Sequence, residues 1–267
     1  MKASNSAIQM FKSCRRLYEL RYIYELEPVQ TAEVLYRGSS YHALVEELLK
    51  CKFWHCEADL SSCEDPKTRA MAAAFQKYIL PTIEAEATEE WFNYWTPSGH
   101  TVLGRIDGRT PSGEVIEHKT TSGSIDGSYF QRLEFDEQIP TYMIACKSNS
   151  VIYTVCATPT IRQKKDETDE QFFNRCLDWY KEDTDSKIVC TKLFRSDEQL
   201  GKFLKEQDAI LTEMENCKNF YRNPSHCMKW GRMCEFAPVC MNYDPNQEYV
   251  QFKRRVKYDK KTGEAIP

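Results

Sequence analysis

Gly104-Arg105-Ile106-Asp107-Gly108-Arg109-Thr110-Pro111-Ser112-Gly113-Glu114-Val115-Ile116-Glu117-His118-Lys119-Thr120 is the stretch whose reading decides the fold. It predicts two short strands, Thr101 to Asp107 and Glu114 to Thr120, joined by a Pro-Ser-Gly turn. Asp107 ends the first strand. Glu117 and Lys119 are two residues apart on the second, so they point to one face. The hairpin thus gathers two carboxylates and an ammonium. Carboxylate oxygens suit a hard cation such as Mg²⁺ or Mn²⁺, and a lysine beside them can steady anionic phosphate oxygens. Taken alone, the same stretch also reads as an exposed hairpin with ordinary surface charges, so its company in the chain matters.

The 267 residues suffice for one large domain or two small ones. No run of eighteen apolar residues is present, and Lys2, Asn5, Gln9 and Lys12 interrupt any apolar region of a leader at the N-terminus. The expected location is therefore intracellular, in the cytoplasm. Twelve cysteines in such a compartment point to metal or cluster ligation rather than to a disulfide framework. The net charge of −4 argues against a passive nucleic-acid binder, which is usually basic. An enzyme acting on nucleic acid is not excluded, because its metal site contributes acidic residues and its basic groove can be local.

Outward from the hairpin, the spacing predicts helices and strands in alternation. Ser6 and Gln9 form a capping-box pattern, and Ile8, Phe11, Cys14 and Tyr18 follow at helical spacing. Arg15, Arg16 and Arg21 lie beside them as a solvated or a phosphate-facing edge. After Gly38-Ser39-Ser40 a second helix is expected through His42 to about Lys50, with His42 and Glu46 on one face. Cys51 to about Asp65 reads as a connecting insertion; the spacing of Cys51, His55, Cys56 and Cys63 fits no common zinc pattern. A helix from Pro66 to Leu80 should bury Ala70, Ala73, Ala74 and Phe75, and Glu89 to Trp95 should be a strand. Beyond the hairpin the pattern predicts a helix over Asp136 to Lys147, with Gln138 and Tyr142 four apart, and a strand over Ser150 to Ala157. Capping boxes at Thr168/Gln171 and Ser196/Gln199 open two further helices, with a strand from Lys187 to Arg195 between them. The tail Lys253-Arg254-Arg255-Val256-Lys257 with Lys260 and Lys261 is basic and reads as solvated or as touching nucleic acid. Interleaved strands and helices imply an α/β domain with a mixed sheet.

A second constellation stands near the C-terminus. Cys227, Cys234 and Cys240 fall in one loop-like segment that contains Gly231 and Pro238, and such thiolates are candidate ligands for zinc or an iron–sulfur cluster. A fourth ligand is available in Cys14 or in His226.

In chain order these residues resemble the PD-(D/E)XK nuclease superfamily, in its RecB-like branch with an iron–sulfur cluster, the branch of helicase–nuclease subunits, CRISPR-associated exonucleases and phage exonucleases. The resemblance rests on Cys14-Arg15-Arg16-Leu17-Tyr18, on Gly38 to His42, on Asp107 with Glu117 and Lys119, on Gln138 and Tyr142, and on the C-terminal cysteines. It implies a central mixed sheet flanked by helices, in a single domain over residues 1–250. The core would span about 84–160, cluster-binding portions about 1–25 and 215–245, and a basic tail 251–267. It implies that His42, Asp107, Glu117 and the His118 backbone carbonyl hold Mg²⁺ or Mn²⁺. Lys119 would position water, and Gln138 and Tyr142 would orient substrate. Cys14, Cys227, Cys234 and Cys240 would hold a [4Fe–4S] cluster joining the N-terminal helix to the C-terminal segment. Arg15, Arg16 and Arg105 would touch DNA. The six-residue gap between Cys227 and Cys234 departs from the C-x2-C-x5-C of the CRISPR-associated members and looks more like phage-type relatives.

The function so implied is a metal-dependent deoxyribonuclease, an exonuclease on single-stranded ends in recombination, repair or phage DNA processing, with a helicase or recombination partner. The rivals are a non-catalytic DNA-binding or assembly protein that keeps the fold, and a zinc-stapled domain.

Overall fold

In a computed structural model, described for residues 1–29, 33–229, 231–242, 252–254, 257–258 and 265–266, the central hairpin is the middle of a six-stranded mixed sheet. The chain opens with β1 (Lys2–Ser4), α1 (Asn5–Ser13), α2 (Arg15–Tyr18), β2 (Leu26–Pro28) and α3 (Glu33–Trp54). It continues through α4 (Pro66–Tyr78), β3 (Ala87–Trp95), β4 (Thr101–Arg109), β5 (Val115–Thr121), α5 (Gly127–Leu133), α6 (Gln138–Cys146) and β6 (Ser150–Ala157). It closes with α7 (Asp169–Glu182), α8 (Thr184–Lys187), β7 (Ile188–Phe194), α9 (Asp197–Asn216), α10 (Pro224–Cys227), β8 (Met228–Lys229), β9 (Arg232–Met233), α11 (Ala237–Asn242) and β10 (Phe252–Arg254).

Local chemistry explains most of these boundaries. Gly99 and Gly113 turn the two hairpins in left-handed conformations (φ +81° and +86°) that a side chain would strain. Asp65 caps α4 with Pro66 at its first position. The capping boxes Thr168/Gln171 and Ser196/Gln199 are both formed.

Several expectations need correction. The first helix is capped by Ser4, which accepts from the Ala7 amide at 3.2 Å, rather than by a Ser6/Gln9 box; the Gln9 amide instead donates to Glu137. Cys14 sits at the break between α1 and α2, not within a helix. The helix carrying His42 starts at Glu33 and runs to Trp54, so Gly38 and Cys51 are helical. Glycine is only weakly disfavoured in a helix, and local spacing could not outweigh the burial of Tyr41, Leu44, Val45, Leu48 and Leu49. On α4, Ala73 is only partly buried while Met71 and Ala72 are fully so. The short helix α5 went unforeseen, although Asp126 caps it.

The sheet order is β1-β4-β5-β6-β7, with β3 paired to β4 on its other side. Strands β5 and β6 run parallel over seven pairs and are covered on both faces, as parallel strands require. On one side α3, α4 and α7 pack Tyr41, Leu48, Phe75 and Tyr180 against Ile116. On the other, α5 and α6 pack Tyr129, Tyr142 and Met143 against Val115, Tyr153 and Val155. A third cluster joins Ile8 and Phe11 of α1 to Val102 of β4 and Leu211 and Met214 of α9.

One topological detail positions the site. β4 pairs antiparallel with β5 only at Gly108↔Ile116 and Arg109↔Val115, while its other end pairs parallel with β1. The two hairpin strands therefore diverge just where Asp107 and Glu117 stand. Of the basic tail, Arg255, Val256, Lys260 and Lys261 lie outside the described residues, but Phe252–Arg254 pairs with Leu26–Pro28, and Phe252 is buried against Phe236.

Candidate metal centre

The divergence of β4 and β5 leaves strand groups without ladder partners, and side chains take their place. The Asp107 carboxylate accepts the His118 amide through Oδ2 at 2.8 Å. Its other oxygen, Oδ1, lies 3.4 Å from Nδ1 of His42, which α3 delivers. Burial would raise this carboxyl, but the hydrogen bond and charge of His42 outweigh it and hold it at about 2. In return, Asp107 raises His42 despite the opposing effect of burial.

Glu117 is 1 % exposed, and burial pushes its carboxyl up. Lys119 donates to its Oε1, and Lys119 also donates to Oε1 of Gln138 at 2.8 Å. The Gln138 amide in turn donates to the hydroxyl of buried Tyr142. Asp136 fixes the start of α6 by accepting from the amides of Gln138 (2.8 Å) and Ile139 (2.9 Å). The hairpin, His42 and the Gln138–Tyr142 pair therefore meet from four separate segments.

Glu117 Oε2 is buried with no hydrogen-bond partner among the described residues. A carboxylate oxygen left so is costly unless a cation or water satisfies it. The side chains that could hold a cation include one that sequence reasoning did not single out. Ligand atoms of His42, Asp107 and Glu89 lie within 4.8 Å of one another, a group to which Glu117 does not belong. Glu89 stands across from Asp107 in the β3–β4 register, between Thr88↔Gly108 and Glu90↔Ile106. Its backbone is left-handed at φ +51°, a strained setting for a non-glycine residue. Counting outward from the Pro97-Ser98-Gly99 turn would have paired 89 with 107. An imidazole nitrogen and carboxylate oxygens suit Mg²⁺, Mn²⁺ or a similar divalent ion.

The other side chains singled out by the sequence make the following contacts, of which that of Arg105 reaches Glu89 of this group. The His118 imidazole turns away, with Nδ1 2.6 Å from the Thr154 hydroxyl and its ring against Phe75, and burial lowers it to about 4. Glu46 binds Lys50 at 2.5 Å. Arg105 pairs with Glu89 and lies over the Trp91 ring. Arg15 pairs with Glu213 and stacks on Phe11 and Tyr221, whereas Arg16 pairs with Glu19. Neither Arg15 nor Arg16 is among the groups that contact the Asp107 cluster in the interactions above.

Cys14, Cys227, Cys234 and Cys240 line a single cavity of about 130 Å³, with Arg16 and His226 at its wall. None of the twelve cysteines is in a disulfide. The Asn223 amide donates to Cys14 Sγ at 3.4 Å, and the Cys234 amide donates to the Cys227 carbonyl at 2.8 Å, folding the C-terminal segment over the α1–α2 break. The four thiols thus share one cavity wall, but among the described residues the ligand atoms that lie within 4.8 Å of one another are those of His42, Glu89 and Asp107 and not these sulfurs.

A family model described as the PD-(D/E)XK nuclease superfamily matches residues 2–241. The chain belongs to this superfamily. The solved structure of a protein classed as an exonuclease, from Eubacterium rectale, is 10 % identical, covers 90 % of this chain and 87 % of its own, and superposes with a TM-score of 0.53. A phage-related exonuclease from Haemophilus somnus is 16 % identical over 65 % of this chain and 83 % of its own, with a TM-score of 0.33. An alkaline exonuclease from Laribacter hongkongensis is 15 % identical over 80 % of this chain and 88 % of its own, with a TM-score of 0.37. The first of these shares the fold. No protein of curated function matches the chain. Among the described residues, no helix is long and apolar enough to cross a membrane.

Proposed function

We propose that this protein is a divalent-metal-dependent deoxyribonuclease, an exonuclease acting at DNA ends, with Mg²⁺ or Mn²⁺ as its cofactor. The observation that carries this reading is the contact of His42, Asp107 and Glu89 beside the Glu117–Lys119–Gln138 chain, in a member of a nuclease superfamily. His42, Asp107 and Glu117 would hold the ion, with the His118 carbonyl and with Glu89 as a further acidic ligand. Bound there, a divalent ion lowers the pKa of water and neutralises a phosphate.

The chain's own groups do the rest. Lys119, kept cationic by Glu117 against the opposing effect of burial, would lend its ammonium to a scissile phosphate oxygen as it gains charge. Gln138, braced by Tyr142, holds that ammonium in place. His42 offers a lone pair only when neutral, so activity should fall as pH drops through its raised pKa.

In the same reading, Cys14, Cys227, Cys234 and Cys240 hold a [4Fe–4S] cluster that ties α1 and α2 to the C-terminal segment. A link across more than two hundred residues removes much chain entropy from the unfolded state. Single-stranded substrate, a helicase or recombination partner and a cytoplasmic setting belong to this proposal as well.

The test is digestion of end-labelled single- and double-stranded DNA with Mg²⁺ or Mn²⁺, with and without EDTA. Metal-dependent release of nucleotides from the ends supports the reading. Intact substrate under every metal condition would favour the non-catalytic binding protein.

A further inference from the structure

The β3–β4 hairpin has one face that the core does not use. Val102 and Ile106 of β4 are buried, and the Phe92 ring lies over Gly104, so close that a β-carbon there would sit 2.6 Å from it. The alternate residues point the other way. Trp91 pairs with Arg105, Asn93 with Leu103 and Trp95 with Thr101, and Lys2 of β1 continues the last row beside Thr101. Cross-strand partners share a face. Trp91 is 49 % and Trp95 77 % exposed, and Arg105, Asn93 and Lys2 are exposed as well. Two large aromatic side chains in water on an edge strand are a liability for aggregation unless something uses them.

This face is continuous with the metal centre. Arg105 lies with its guanidinium 5.6 Å from the Trp91 ring centroid and forms an ion pair with Glu89. Glu89 belongs to the group with His42 and Asp107. The order along the hairpin is thus metal-ligating acids, arginine with tryptophan, asparagine with leucine, then tryptophan beside a lysine. Trp91 and Trp95 are four residues apart, about 13 Å along a strand. Aromatic faces stack on any base, and interleaved cations meet the backbone phosphates. A duplex keeps its bases stacked inside and gives such rings nothing to bind.

We infer that the Trp91–Arg105–Trp95–Lys2 face is a track for single-stranded DNA, stacking unpaired bases and delivering the strand to the acids at Glu89 and Asp107. This deepens the nuclease reading and rests on it for what happens at the track's inner end.

The test measures binding separately from cutting. The full-length protein is titrated, in EDTA, against a fluorescein-labelled oligothymidylate and against a blunt duplex of equal length. Trp91→Ala and Trp95→Ala should each raise the Kd for the single strand about tenfold. Trp91→Phe and Trp95→Phe should recover most of the loss, which a merely misfolded hairpin would not. Trp54, 73 % exposed at the end of α3 and off this face, is the control: Trp54→Ala should bind like the parent. Parental affinity in the Trp91→Ala/Trp95→Ala double variant overturns the track. So does equal weakening by Trp54→Ala, or tighter binding of the duplex than of the single strand. A parent that binds the strand through these tryptophans yet cuts nothing with Mg²⁺ or Mn²⁺ sinks the nuclease reading and leaves the track standing; cutting without dependence on the tryptophans does the reverse.

Discussion

Replacing Asp107 by asparagine separates the carboxylate's charge from its shape. The asparagine oxygen can still accept the His118 amide that Asp107 Oδ2 accepts at 2.8 Å, so the seam between β4 and β5 survives. What disappears is a negative charge 3.4 Å from His42 Nδ1. An aspartate that titrates at about 2 rather than at 3.8 is more stable charged in the folded chain than in the unfolded one. At about 1.4 kcal/mol per pH unit that difference contributes about 2 kcal/mol. Because the folded value is depressed, the contribution is present above about pH 4 and is lost as pH falls toward 2, and the share that comes from the charge of His42 is lost again as pH rises through the raised pKa of that imidazole. Asparagine forgoes it but also escapes the cost of burying a charge, so the metal-free variant should melt no more than about 4 °C below the parent. The metal response should differ far more. At a hundredfold excess over its Kd, Mn²⁺ should stabilise the parent by about 2.7 kcal/mol, or about 5 °C, and the variant by little. Cleavage of labelled single-stranded DNA should drop at least about a hundredfold. Thermal unfolding with and without Mn²⁺, run beside the digestion assay, reads both effects. A variant that keeps the full Mn²⁺ shift, or digests DNA at the parental rate, would refute the assignment of Asp107 to a metal.

Glu89→Gln should weaken Mn²⁺ binding about tenfold or more while leaving the fold intact, as titration calorimetry would record; unchanged affinity would remove Glu89 from the ligand set. Protein purified without oxygen should be brown and absorb near about 400 nm, and Cys14→Ser should bleach it and lower the melting temperature. Stoichiometric zinc without iron on elemental analysis would replace the cluster with a zinc site. Asp65→Ala removes the cap of α4 and the ion pair with Arg37 at 2.9 Å, and should cost about 1 kcal/mol near neutral pH in chemical denaturation. The Asp65 carboxyl is held below its usual value by Thr68 and Arg37, which outweigh the opposing effect of burial, so this stability should be present above about pH 4 and fade as pH falls further.

What the residues alone determined was mostly local. Alternation of apolar positions with a Pro-Ser-Gly turn specified the hairpin to within two residues at each strand end, since a strand's period is set by its own backbone. Capping boxes marked α7 and α9 because their hydrogen bonds close within four residues. Helical spacing placed Gln138 and Tyr142 on one face, and they do bond. Only the tertiary structure decided which groups crowd Asp107. Glu89 enters through the register of β3 on β4, which the turn at 97–99 could have given, and through a left-handed backbone, which its own sequence neighbours do not announce. The His118 ring turns to Thr154 and Phe75 because successive strand residues face opposite sides, and α4 had to be packed before that side had an owner. Cys14 at a helix break is likewise buried by residues distant in sequence, among them Phe236 and Val239. Contacts between residues far apart in sequence are made only when burial outweighs the entropy of closing the chain between them, and that balance belongs to the whole fold rather than to any stretch of it.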